Sequence, residues 1–242
     1  MNNLFRRQSS ERGFSLFELI IAMTVTIVIM ALVGTLLAQS LRMRTRANEK
    51  IDALADVQRA LNIMSREIAV AGLGLGTTDN GIVAADSITD SNGNSTIRIR
   101  SNLNKFNPNG TASVAAQSGI GVPGEDAGED IKYFIYPAAN TNLLARYDAL
   151  SLGGGSATVL ANRLDTLRIH YYARRVTYQT ADCDITAASL PEVDPSAAKY
   201  LVIAVCVRQA AVGVPGSPGF QPEGRVLLVS DVTLRNANLL DY

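Results

Sequence analysis

The stretch from Leu19 to Ala38 reads LIIAMTVTIVIMALVGTLLA and contains no charged side chain. As an α-helix, about 20 residues rise about 30 Å, the thickness of the hydrocarbon core of a bilayer. Thr24, Thr26 and Thr35 suit such a setting because their hydroxyls can bond back to helix carbonyls, and Gly34 is the only weak helix former in the run. A buried core helix is one competing reading, but few buried helices stay apolar on every face for this long. A cleaved secretory signal is another. Its apolar region runs about 7–15 residues and ends at a small-x-small site, whereas this longer run continues into Gln39, Ser40, Leu41 and Arg42. The run is therefore expected to cross a membrane.

Charge alone leaves the orientation open, because Arg6, Arg7 and Arg12 precede the run while Arg42, Arg44, Arg46 and Lys50 follow it. The junction Arg12-Gly13-Phe14-Ser15-Leu16-Phe17-Glu18 supplies a second signal: a basic leader, Gly-Phe, one carboxylate and then the span, in that order. This junction resembles the class III signal of type IV prepilins and the related pseudopilins. The resemblance implies that a membrane aspartyl peptidase cuts between Gly13 and Phe14 on the cytoplasmic side, and that the new terminal Phe14 is N-methylated. It also implies a cytoplasmic leader over residues 1–13 and a chain whose bulk lies outside the inner membrane.

Glu18 has a physical argument of its own. A carboxylate costs about 2.5–3.5 kcal/mol at the centre of a bilayer and less near an interface, so it needs a partner or a reason. Snorkelling to headgroups is one reason. The resemblance implies another: in that family the glutamate meets the N-terminal amine of a neighbouring subunit during assembly, a pairing that sets register more than it adds stability.

Downstream of the span, Leu54, Val57, Leu61, Met64 and Ile68 recur at spacings of three and four, and Asp52, Asp56, Arg59, Arg66 and Glu67 mostly fall on other faces. That is the apolar stripe of an amphipathic helix packed on a core. No proline precedes Pro108, and Gly72, Gly74 and Gly76 form the first stop. The expectation is one helix from Phe14 to about Val70, on the order of 85 Å long, with a membrane half over residues 14–39 and an amphipathic half over 40–71. The glycine run comes after a helix and before polar loop, the reverse of a dinucleotide-binding loop, and lacks the Gly-Lys-Ser/Thr ending of a phosphate loop.

Residues 72–242 form the expected globular domain. From 72 to 130 the chain is rich in Asn, Ser, Gly, Asp and Thr and reads as a variable connection with short strand-like pieces at Gly81 to Val83 and Thr96 to Ile99. Glu125, Asp126, Glu129 and Asp130 lack calcium-loop spacing and read as a solvated acidic turn. From 131 to 242, strand signals at Ile131–Tyr136, Asn142–Tyr147, Leu167–Tyr172, Tyr200–Val207 and Arg225–Leu234 are separated by turn residues, with no crossover-length helix between them. An antiparallel sheet is the expected result, and the fold class is α+β: a long N-terminal helix, membrane-spanning and then amphipathic, packed on that sheet in the manner of type IV pilins. The helix ending from Leu61 to Gly72, the succession from Tyr133 to Tyr172 and the close from Val232 to Asn236 are similar to W-type minor pilins and J-type pseudopilins. Under the implied orientation Cys183 and Cys206 face an oxidising compartment, and a disulfide between them is expected. The alternative is a buried Cys206 in its strand and a free thiol at Cys183.

Composition narrows the function classes. Twenty-two basic and 22 acidic residues give a formal net charge of zero, unlike a general nucleic-acid binder. Two cysteines and one histidine, His170, provide neither a zinc set nor a nucleophile-histidine arrangement, so no cofactor, no metal and no enzymatic activity are expected. The resemblance implies a minor pilin that takes part in priming or assembling a type IV pilus, serving adhesion, motility or DNA uptake. Its partners would be other minor pilins, the major pilin, the prepilin peptidase and N-methyltransferase, the inner-membrane assembly platform and, before assembly, the lipid bilayer. The implied location is a single pass of the inner membrane with the N-terminus cytoplasmic and the globular domain periplasmic, then the pilus at the cell surface. A type II secretion pseudopilin at a filament tip and a signal-anchored envelope binding protein outside the family remain the alternatives.

Overall fold

The computed structural model describes residues 14–75, 79–103, 127–138, 141–151, 154–187, 189–217 and 220–237. The leader, residues 104–126 of the connection with Glu125 and Asp126 among them, and the last five residues lie outside them.

One helix, α1, runs from Leu16 to Val70, 55 residues in all, about 82 Å at 1.5 Å per residue. Ser15 precedes it in extended conformation (φ −69°, ψ 139°). The helix ends where Ala71 turns to ψ 143° and Gly72 takes φ +79°. The exit is then clamped: Gly72 N donates to Arg100 O at 2.9 Å, and Arg100 N donates to Gly81 O at 2.7 Å. Gly81 has φ +78°, and a Cβ there would run into Gly72 N and Arg100 O, so this close approach requires glycine.

The two halves of α1 differ in their surroundings. Through the apolar run no residue is buried, and the threonine hydroxyls bond back to the helix: Thr24 to Ile21 O at 2.8 Å, Thr26 to Ala22 O at 2.7 Å and Thr35 to Leu32 O at 2.8 Å. Burial begins at Ala53 and continues through Val57, Ala60, Leu61, Met64 and Ile68. This is the three-and-four spacing that keeps one face turned to a partner.

That partner is a six-stranded sheet in which every neighbour is antiparallel, in the order β1 (Ile97–Arg100), β2 (Asp130–Ala138), β3 (Thr141–Asp148), β4 (Ser156–Tyr172), β7 (Tyr200–Gln209) and β8 (Gly224–Thr233). A separate hairpin of β5 (Tyr178–Ala181) and β6 (Asp184–Ala187) is inserted between β4 and β7. The architecture is α+β. The first strand comes from within the connecting segment, while Gly81 to Val83 contributes only the isolated bridge from Ile82 to Ile99.

β4 is 17 residues long and serves two neighbours in turn. Its first half pairs with β3 as far as Leu164, and its second half pairs with β7 from Leu164 to Tyr172. The register shifts near Arg163, whose φ is +59°, as expected where a bulge bends a strand. Beyond the shift, the edge that β3 leaves is taken up by the connecting segment: Ser95 N donates to Leu167 O at 2.7 Å, and Ile169 N donates to the Ser95 hydroxyl at 3.1 Å.

The core lies between α1 and the sheet. Val57, Leu61, Met64 and Ile68 pack with Ile97, Ile131, Leu144, Leu167, Leu201, Ile203 and Val205. The opposite face is covered over β7 by the segment between β4 and β7, where Val176 and Ile185 pack on Tyr172, Tyr200, Val202 and Ala204. β7 is therefore buried on both faces from Tyr200 to Val207. This explains why its sequence YLVIAVCV is continuously apolar rather than alternating.

Candidate functional site

The surface that distinguishes this chain is the first half of α1. Phe14 is 78% exposed and Phe17 71%, and the large apolar side chains from Leu19 through Leu37 stay roughly half or more exposed. This helix is long and apolar enough to cross a membrane. Contiguous apolar surface of this extent is not stable against water and must be covered by lipid or by protein.

Glu18 stands in the first turn of α1 and is exposed. The helix starts at Leu16, and Leu19 N donates to Ser15 O at 3.1 Å, so Glu18 is the third helical residue, in the turn where the helix dipole favours negative charge. It is the only charged side chain between Phe14 and Ala38. Gly13, the proposed cleavage position, lies outside the described residues; Phe14 is the first residue inside them.

Cys183 and Cys206 are joined as a disulfide, with Cα atoms 5.2 Å apart. Cys183 occupies the turn of the β5–β6 hairpin at φ +65°, and Cys206 is buried in β7, so the bond fastens the inserted hairpin to the central strand. Asp165 lies near both sulfurs. With both sulfurs in a disulfide, no thiolate remains to ligate an ion there.

His170 occupies a structural position. Its Nδ1 lies 2.8 Å from Glu192 and its Nε2 lies 2.8 Å from Asp184, which also takes Arg168 Nε at 3.1 Å. Both ring nitrogens are thus engaged with carboxylates that fasten the inserted segment to β4.

Two polar clusters were not legible in the sequence. The Glu67 carboxylate of α1 accepts the Tyr133 hydroxyl from β2 and is held by Arg146 Nε of β3 at 3.0 Å. Burial, reinforced by the neighbouring Glu67 charge, pushes the Tyr133 phenol well above its usual range. On the outer strands, Arg98 places Nε and Nη2 on Asp130, both at 2.7 Å, and Nη1 on Asp86 at 2.6 Å. The Arg98 hydrogen bond holds the Asp86 carboxyl below its usual range. These contacts correct the reading of a solvated acidic turn: Glu129 and Asp130 are buried, Asp130 between Arg98 and Arg100, and Glu129 accepting Leu103 N at 2.7 Å. A carboxylate can be buried only with such partners, and these lie 26 or more residues away in sequence.

At the junction between the two halves of α1, a cavity of about 700 Å³ opens between the helix at Arg46 to Ala53 and the strand ends around Asn142, Arg163 and Gln209. Compared with known proteins, the chain matches no family model, no curated protein and no solved structure.

Proposed function

We propose that this chain is a minor pilin-like subunit that is anchored in the inner membrane by α1 and withdrawn into a type IV pilus assembly. The observation that carries the reading is the division of one unbroken helix: an apolar half with no buried residue, and a second half whose stripe is sealed into the domain core. A helix built this way can exchange lipid for neighbouring helices without unfolding the domain it carries. Glu18 supports assembly over simple anchoring, since a lone carboxylate in the first turn gives an apolar helix a point of register toward a cationic partner such as a neighbouring N-terminal amine. The order Arg12, Gly13, Phe14, Glu18 and span supports processing by the prepilin pathway.

The test is the intact N-terminus of the membrane-extracted protein by peptide mass spectrometry. A mature chain beginning at N-methyl-Phe14 is expected. A chain that starts at Met1, or one cut near Ala38, overturns the reading. Glu18→Ala should leave the cut in place and deplete the subunit from sheared filaments; undiminished occupancy removes the proposed role of Glu18. Surface pili and secreted enzymes, assayed separately after gene deletion, assign the filament system.

A further inference from the structure

β8 is one edge of the six-stranded sheet and is 10 residues long. Edge strands are ordinarily blunted by shortness, a bulge, proline or lysine, because their unpaired backbone groups template the addition of another strand. The opposite edge is protected: β1 has 4 residues, and its outer side is occupied where Val83 N donates to Arg98 O at 2.9 Å and Arg100 N donates to Gly81 O at 2.7 Å. β8 carries none of these devices. It keeps one register with β7 over its whole length, contains no proline or lysine, and places apolar side chains on both faces through Val226, Leu227, Leu228 and Val229, as an interior strand does.

The ladder fixes which backbone groups are free. On the far edge of β4, Leu167 O accepts Ser95 N and Tyr171 O accepts Val193 N, so Arg168 and His170, which alternate with them, face β7. Carried through the registers Arg168 to Ala204 and Val205 to Leu228, the same alternation turns the even-numbered residues of β8 toward β7 and the odd-numbered ones outward. Arg225, Leu227, Val229, Asp231 and Thr233 therefore present their N–H and C=O groups outward at intervals of about 6.8 Å. Among the described residues no hydrogen bond reaches this row. Its complement is an extended peptide backbone.

Two charges on one face of β8 say what that peptide carries. Arg225 reaches Asp165 at 3.0 Å and stays 49% exposed. Asp231 accepts the Tyr178 hydroxyl at 2.6 Å and is exposed. Each keeps a side open to a second partner, and Leu227 and Val229 between them pack against the inserted segment.

We propose that β8 receives, in antiparallel pairing, an extended strand of a different chain that sets a basic residue opposite Asp231 and, six residues later, an acidic one opposite Arg225. Antiparallel pairing is the more stable mode and the one used at every ladder of this sheet. A second copy would match the charges but not the membrane. α1 and β8 run the same way, since Arg46 meets Pro222, Ser65 meets Ser230 and Ala69 meets Arg235. An antiparallel second β8 would bring its α1 reversed, and the two apolar halves could not enter one bilayer. The choice of a different chain thus rests on the reading that α1 is inserted; the addition of a strand does not.

The test titrates the full chain, one copy per nanodisc, with a synthetic peptide. Its lysine faces Asp231, its glutamate faces Arg225, and threonine and valine alternate between them with the valines opposite Val229 and Leu227. Saturable binding is expected, with amide exchange slowed at Leu227, Val229 and Asp231. N-methylation of both valines, whose N–H groups point at β8, should weaken binding at least about tenfold. N-methylation of the central threonine, whose N–H points away, should leave it unchanged. Exchanging the lysine and glutamate should cost about tenfold. Val229→Pro removes an outward N–H, spares the ladder to β7 and should abolish binding. No saturable binding, or equal effects of the two methylations, overturns the proposal. So does protection of the odd-numbered amides without peptide, since the edge would then be covered by the chain itself. Discs that pair through β8 without peptide overturn it in favour of a second copy. Failure of the span to resist protease in the disc overturns the anchoring instead, and the peptide titration in detergent still decides whether the edge takes a strand.

Discussion

Glu67 on α1 and Arg146 on β3 meet at 3.0 Å across the helix–sheet boundary, and the Tyr133 hydroxyl of β2 donates to the same carboxylate. The side chains of Glu67 and Arg146 are 28% and 19% exposed, so the pair is substantially withdrawn from water. Arg146→Met should lower stability by about 2 kcal/mol, the scale of a lost charge-assisted bond that leaves its partner poorly solvated. Thermal unfolding of the detergent-solubilised chain reads this directly. Arg146→Lys should recover only part of the loss, because an ammonium cannot reproduce the planar guanidinium contact.

The same cluster makes stability sensitive to alkali. The folded Tyr133 phenol ionises above its ordinary value near 10. Burial raises Tyr172 and Tyr200 in the same direction, each to about 12. A folded value raised above the unfolded one means that this contribution is complete below about pH 10 and is lost as pH rises toward the folded value. Unfolding by base should therefore coincide with phenolate absorbance. Tyr133→Phe should lower stability at neutral pH by about 1 kcal/mol and flatten its decline above pH 10 by up to about 1.4 kcal/mol per pH unit. An unchanged slope would show that Tyr133 ionises freely in the folded state.

The Cys183–Cys206 bond closes a loop with a sequence separation of 23, for which restriction of the unfolded chain is worth about 3 kcal/mol. Cys183→Ser with Cys206→Ala should lose about that much. The loss should appear first as faster hydrogen exchange in β5 and β6, which are joined to the main sheet through this bond and the His170 contacts. Uniform acceleration across the whole sheet would instead mean that the hairpin is integral to the core.

The two halves of α1 should respond oppositely to truncation. Met64 is fully buried and Met30 is 72% exposed. Met64→Ala should cost about 2–5 kcal/mol of domain stability through lost burial and a cavity. Met30→Ala should leave the domain midpoint unchanged, because its side chain packs on nothing in the domain. Equal effects on the midpoint would mean that the apolar half contributes to the domain fold.

Much of the fold was legible in local pattern. The charge-free run, the stripe through Val57, Leu61, Met64 and Ile68, and the glycine stop at Gly72 each express a periodicity or a backbone preference within a few turns, and together they give α1 to within two residues of its start. Four of the long strands were visible for the same reason, but of β4 only Leu167 to Tyr172 was, and the part from Ser156 to Thr166, much of it exposed, becomes strand through its pairing with β3. The β5–β6 hairpin was not, since Tyr178 to Ala181 and Asp184 to Ala187 are short and mostly polar, and their pairing depends on the sheet beneath them. Nor was the edge position of β1, whose four residues become a strand only against Asp130 to Tyr133.

Chain chemistry of short range therefore determined the long helix, its division into an apolar and an amphipathic half, and the antiparallel character of the strands beyond it, because periodicity and turn preference act over a handful of residues. The tertiary structure alone decided which charges are buried. Glu67, Asp130 and Glu129 read as surface residues in the sequence, and they are sheltered because Arg146, Arg98 and the amide of Leu103 arrive from 26 to 79 residues away. Desolvation of a carboxylate is tolerated only after those partners are in place, and that condition belongs to the folded arrangement rather than to any segment of the chain.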